Sequence, residues 1–148
     1  MYTPHTVTII NATEGEDYEM QYNLTVLHGV MLQASKRNNV NKSGLTDADA
    51  VTLFIPFSVQ ATDATGSLLK VFRSPKAYAA LVTKDLAWTL QGGDDSAAAS
   101  CFFIKGEVTE ALSYADALNT YDEVYRVTSV DIRDFGSASM QHWQVGGV

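Results

Sequence analysis

With 148 residues, 46% of them apolar, the chain has the size and composition of a single domain able to bury its own core. A net charge of −7, with only Lys36 and Arg37 adjacent among ten scattered basic residues, excludes the clustered positive surface that nucleic acid or an anionic membrane requires. The lone Cys101 excludes an internal disulfide; Met1-Tyr2-Thr3-Pro4-His5 does not read as a secretory leader, and no run nears the ~20 apolar residues of a membrane helix, so a soluble cytoplasmic product is expected.

Residues 6–11 form a short β-rich run, and the polar stretch 13–17, with Gly15, suits a turn into the segment that follows. There the even positions read Tyr18, Met20, Tyr22, Leu24, Val26, His28, Val30, Leu32 and Ala34, separated by mostly polar residues. Such a strand would span about 55 Å if straight, far beyond the usual length, so it must bend or leave the body. Gly29, beside His28 as the polar inward position, is the place for a bulge or barrel corner. One strand serving two sheets, or a small barrel with a projecting β-arm, is predicted, with residues 6–11 as the hairpin partner.

Residues 36–49 have the composition of an exposed loop. Val51, Leu53, Ile55, Phe57 and Val59 then alternate as the best-defined strand, which Pro56 places at an edge or a bulge because it cannot donate to a ladder. Asp63-Ala64-Thr65-Gly66 reads as a turn before residues 68–73, and Ser74-Pro75 as the start of a short helix over 76–82. Residues 86–90 and 101–105 read as paired strands across a loop at 92–100. Residues 109–121 read as an amphipathic helix that buries Leu112, Ala115 and Leu118. Tyr125 and Val127 share one parity, Val130 and Ile132 the other, so a β-bulge is predicted near Thr128-Ser129. Phe135-Gly136-Ser137 turns the chain into a last strand over 140–145.

Motifs of chemistry are sparse. Gly92-Gly93-Asp94-Asp95 resembles the acidic turns of metal-dependent nucleotide enzymes, yet no second acidic cluster, phosphate-cradling loop or nearby basic residue accompanies it, and it reads as a solvated turn. His5, His28 and His142 lack metal-ligand spacing, and His28 reads as a hydrogen-bonded core residue. Cys101 reads as a small buried hydrophobe, and Gly-x-Ser-x-Gly is absent. No catalytic residue, cofactor or metal is therefore expected, and the chain reads as a protein that is not an enzyme. Tyr18, Tyr22, Phe54, Phe57, Phe72, Trp88, Phe102 and Phe103 read as core; aromatics on both parities at Phe54/Phe57 and Phe102/Phe103 predict strands buried on two faces, under helices or another subunit. The interface candidates are Tyr18, Tyr22, Phe54, Pro56, His142 and Trp143.

A resemblance adds to these readings. Ile104-Lys105-Gly106-Glu107-Val108, Asp122-Glu123-Val124-Tyr125-Arg126-Val127-Thr128-Ser129-Val130-Asp131, Asp134-Phe135-Gly136-Ser137 and Met140-Gln141-His142-Trp143-Gln144-Val145-Gly146-Gly147 resemble a family of uncharacterised prophage-encoded proteins of Gram-positive bacteria, found among head and tail morphogenesis proteins. Gly29-Val30-Met31-Leu32-Gln33-Ala34-Ser35-Lys36 and Ala50-Val51-Thr52-Leu53-Phe54-Ile55-Pro56 extend the likeness. The order of elements is also similar to phage head-closure, or stopper, proteins, small β-barrels that form a ring beneath the portal; the helix over 109–121 is not part of their pattern. The resemblance implies a self-assembling virion component at the head–tail connection, made in the host cytoplasm, that meets portal, adaptor and tail proteins. The fold expected is mainly β, an antiparallel β-barrel or sandwich with a long bent strand and two short helices. A virion-associated or host-factor binding module is the alternative, and a small enzyme the third.

Overall fold

The computed structural model describes residues 2–15, 18–34, 51–92 and 100–148. β1 (His5–Glu14) and β2 (Met20–Ala34) form the expected hairpin, antiparallel from Glu14 opposite Met20 to His5 opposite Val30. Thr6 faces His28 and His5 faces Val30, so Gly29 has no partner and forms the bulge, at φ +90° where a side chain would be strained.

That extra residue changes which side of β2 looks inward. Leu27 and Val30 differ in parity yet belong to the same main core, whereas Leu24 belongs to a second core on the other side of the strand. The even positions therefore do not form one inward row from Tyr18 to Ala34. The phase resets at Gly29, and each side of the strand is buried in part of its length.

β1, β7 (Cys101–Lys105), β8 (Val124–Arg133), β9 (His142–Gly147), β3 (Val51–Pro56) and β2 pair in that order, and the β1–β2 pairing closes them into a six-stranded antiparallel barrel. Along its other edge β2 carries β3 at residues 31–34 and β4 (Gln60–Thr62) at residues 26–28. The long strand thus does serve two runs of sheet. β3 is paired on both sides, by β2 and β9, so it is not an edge strand. Pro56 is its last residue, opposite His142, where the chain kinks through Phe57-Ser58 and Val59 N–H bonds Pro56 O at 3.0 Å, so the missing donor falls at a bend.

The second predicted bulge is present. Val127 faces Gly147 and Ser129 faces Gly146, leaving Thr128 as the extra residue. β9 begins two residues later than expected because Ala138–Met140 form a short 3-10 turn.

Residues 86–90 do not pair with 101–105. β6 (Ala87–Trp88) instead lies parallel to β5 (Val71–Phe72), while β7 sits between β1 and β8. β6 delivers Trp88 and, beyond it, Leu90 into the main core beside Val7, Ile9, Leu53, Ile55 and Phe103, where their burial outweighs a local hairpin. Between β5 and β6 the helix α1 (Pro75–Ala79) is five residues long, shorter than the expected 76–82.

The second core lies outside the barrel wall. α2 (Tyr114–Thr120) starts at Ser113, whose Oγ accepts from Asp116 N–H at 3.2 Å, and covers Ile10, Leu24, Phe102 and Ile104. Of the expected row Leu112 does pack against this core, with Ala117 buried and Tyr114 and Tyr121 beside it, whereas Ala115 and Leu118 face outward. Phe103 fills the barrel while Phe102 meets the Tyr114 ring at 5.4 Å, so β7 is buried on both faces, the outer one by the chain's own helix.

Candidate functional site

The six interface candidates do not form one site. Phe54, Pro56 and His142 gather on the outer barrel surface: Pro56 faces His142 across the β3–β9 ladder, and the Phe54 and His142 rings are 5.7 Å apart. Trp143 takes the opposite face because side chains alternate along a strand. It is 8% exposed and meets Phe57 at 4.6 Å, Phe72 at 4.5 Å and Trp88 at 5.5 Å. Tyr18 stands 87% exposed at the end of the β1–β2 hairpin, with φ 60°, while Tyr22 packs against the second core.

Trp143 also lines an apolar cavity of about 470 Å³, with Phe72, Pro75, Leu90, Val130 and Ile132. A polar cavity of about 580 Å³ lies between the β1–β2 hairpin end and residues 82–85, lined by Glu14, Glu19, Asn23, Lys84 and Asp85 among others. Asn23, at the back of it, ties β2 to the excursion that contains α1. Its Nδ2 lies 2.9 Å from Tyr78 OH, 2.9 Å from Lys84 O and 2.8 Å from Ala87 O. Lys70 Nζ donates to Asn23 Oδ1 at 2.7 Å and to Leu24 O at 2.8 Å. Burial pushes the Lys70 ammonium down to about 8, against the opposing pull of Asp63 and Asp85.

Asn11 makes a similar link inside the barrel end, donating to Thr89 O at 2.9 Å and accepting from Thr89 N–H at 3.2 Å. Cys101 beside it is buried, and burial pushes its thiol up to about 11, so it carries no thiolate near neutrality. The chemistry of this end is structural.

His28 is hydrogen-bonded as the sequence suggests, but it lies on the outer side of β2 and is half-buried rather than in the core. Its Nε2 is 3.0 Å from Thr62 Oγ1 and its Nδ1 is 4.0 Å from Glu107 Oε1. Among the described residues no group of three His, Cys, Asp or Glu side chains is placed to hold a metal ion. Asp94 and Asp95 of the acidic turn and the loop at 36–49 lie outside the described residues.

Residues 2–148 match the pattern of a family of unknown function, DUF6751. The chain belongs to DUF6751. No curated protein and no solved structure matches it. The DUF6751 match takes in all the barrel strands, both cores and both large cavities.

Sequence reading missed the polar ties that hold this DUF6751 barrel. Lys70 was signalled only by being a cation inside the apolar run from Leu68 to Phe72. Asn23 and Thr62 gave no signal, since alternation marks Asn23 as an outward polar residue and Thr62 falls between a predicted strand and a predicted turn.

Proposed function

We propose that this DUF6751 protein is a structural component of a phage or prophage particle at the head–tail connection. It assembles with copies of itself and with portal, adaptor or tail proteins, is made in the host cytoplasm and ends in the virion. The resemblance to prophage morphogenesis and head-closure proteins motivates the place. The observation that carries the reading is where large apolar side chains remain exposed on a closed barrel. Tyr18 and Met20 stand at one hairpin end, and Ile132, Phe135 and Met140 surround the β8–β9 turn.

Residues 51–54 of β3 are paired on both sides, so they offer no free ladder to another subunit and contact falls to these side chains. Phe135, 68% exposed beside Gly136 at φ +85°, is held at the tip where a neighbour can reach it. The experiment is solution mass by light scattering behind a sizing column, alone and with the portal and adaptor proteins of the same prophage. A ring or co-eluting complex that Phe135→Asp weakens is expected. A monomer that ignores both partners overturns the reading.

The apolar cavity beneath Trp143 favours a second reading, a binding module for a virion or host factor. A monomer that takes up an apolar probe at that cavity, with uptake lost in Ile132→Asp, would select it.

A further inference from the structure

A cluster of a hydroxyl, an imidazole and a carboxylate lies outside both large cavities. β4 pairs with β2 so that Thr62 faces Val26 and Gln60 faces His28. Thr62 and His28 are therefore diagonal neighbours on one face, within reach of each other, and the hydroxyl and Nε2 meet at 3.0 Å. On the other edge of β2, Thr6 faces His28, and Thr6 O accepts the Gly106 amide at 2.7 Å. Gly106 takes φ +100°, a turn that brings Glu107 to within 4.0 Å of His28 Nδ1.

The hydroxyl thus bonds one ring nitrogen and the carboxylate stands 4.0 Å from the other, the order in which a nucleophile, its base and the group that orients the base are arranged. All three line a pocket of about 80 Å³ with Val26, Asp63 and Ala64. Thr62 is 3% exposed, so that pocket is the route to its hydroxyl.

We propose that this cluster is an acyl-accepting site in which Thr62 is the nucleophile, His28 the general base and Glu107 a positioning residue. Its substrate class is a small, neutral, acetyl-sized acyl group on a good leaving group, because the pocket is small and Asp63 and Glu107 disfavour anions. As Thr62 Oγ1 bonds to the acyl carbon, its proton passes to His28 Nε2. The bond from that carbon to the leaving oxygen breaks, and His28 returns the proton to the leaving group. Water attacking the Thr62 ester by the same proton route releases the acid and restores the hydroxyl. Rotation of the exposed Glu107 side chain closes its 4.0 Å gap to Nδ1–H and holds the tautomer that leaves Nε2 free to accept. The site goes beyond the assembly reading and stands or falls apart from it.

The test incubates the full chain with p-nitrophenyl acetate, following nitrophenolate release and locating acetyl groups by peptide mass spectrometry. With the reaction quenched in acid before the ester hydrolyses, one acetyl on Thr62 is expected. It disappears in Thr62→Val, which keeps the shape and removes the hydroxyl, and survives in Thr62→Ser. His28→Gln slows acylation by about a hundredfold or more. Glu107→Gln slows it less and changes its pH profile, a readout that a purely structural role would leave alone; Glu107 and Asp63 are the titratable groups that share the pocket with His28. Thermal melting of each variant separates loss of fold from loss of chemistry. Acetyl on lysines alone, or an unchanged rate in folded Thr62→Val, overturns the proposal.

Discussion

His5 Nδ1 accepts a hydrogen bond from the backbone N–H of Leu32 at 3.0 Å. A backbone amide can only donate, so this nitrogen must be unprotonated. The bond sits just past the bulge at Gly29, where β1 begins, and the imidazole supplies the ladder acceptor that no β1 backbone carbonyl provides.

Removing that acceptor is expected to free the Leu32 amide. Hydrogen exchange at Leu32 should then speed up while exchange at Leu27, bonded within the hairpin, does not follow it. His5→Phe should cost about 1 kcal/mol of stability and expose the same amide at neutral pH, whereas His5→Asn, which carries an acceptor oxygen at a similar place, should retain part of the protection. Equal exchange at Leu32 in all three proteins would show that the bond is not held in solution.

Gly29 and Gly92 should fail on substitution for different reasons. A Cβ at Gly29 meets only Thr3 Oγ1, at an ordinary 3.5 Å, so Gly29→Ala is penalised by its φ of +90° and should cost about 1–2 kcal/mol. A Cβ at Gly92 would lie 2.8 Å from the Thr128 carbonyl oxygen, so Gly92→Ala must push the backbone of the β8 bulge. Urea unfolding gives both costs, and chemical shifts around Thr128 should move for Gly92→Ala alone.

Lys70 sets a pH dependence whose sign follows from its depressed pKa. The native ammonium loses its proton near 8 and the unfolded one at 10.5, so between these values the unfolded chain holds more protons and stability rises with pH. The contribution is complete above 10.5 and is lost as pH falls through about 8. Tyr78 and Cys101, both raised by burial, act in the opposite direction at alkaline pH. Comparison with Lys70→Met cancels them, since both proteins carry those groups. The melting-temperature advantage of the native chain over Lys70→Met should widen from pH 8 to pH 10. A constant difference would mean that the amine titrates as though exposed.

Local periodicity carried the parts of the fold that depend on neighbours in the chain. The parity change between Val127 and Val130 located the bulge at Thr128, and the polar turn after Thr13 located the β1–β2 hairpin. Partners distant in sequence were not legible. Ala87–Trp88 looks like a strand, but nothing local says that it lies beside Val71–Phe72 rather than Cys101–Lys105. The even positions of β2 looked like one face because a bulge resets a period of two without altering the composition on either side of it. The cluster at His28 was invisible for the same reason, since Thr62 and Glu107 reach it only through the pairing of β4, β2, β1 and β7.

The division of β9 into an inner and an outer face gives the sharpest contrast between adjacent residues. Trp143 packs against Phe57, Phe72 and Trp88 inside the barrel end, so truncating it removes a large apolar side chain from a packed cluster. Trp143→Ala should cost about 3–5 kcal/mol, the usual range for deleting a buried aromatic, and should alter the fluorescence of Trp88. His142, one residue earlier, lies outside against Phe54, and its Nδ1 is 2.9 Å from Met140 O. Both His142→Ala and Phe54→Ala should cost less than about 1 kcal/mol. If the outer pair is an assembly surface, those two variants melt like the native protein but elute with a smaller mass. If instead they destabilise the monomer as much as Trp143→Ala does, the outer face is part of the fold and the interface must lie at the hairpin ends alone.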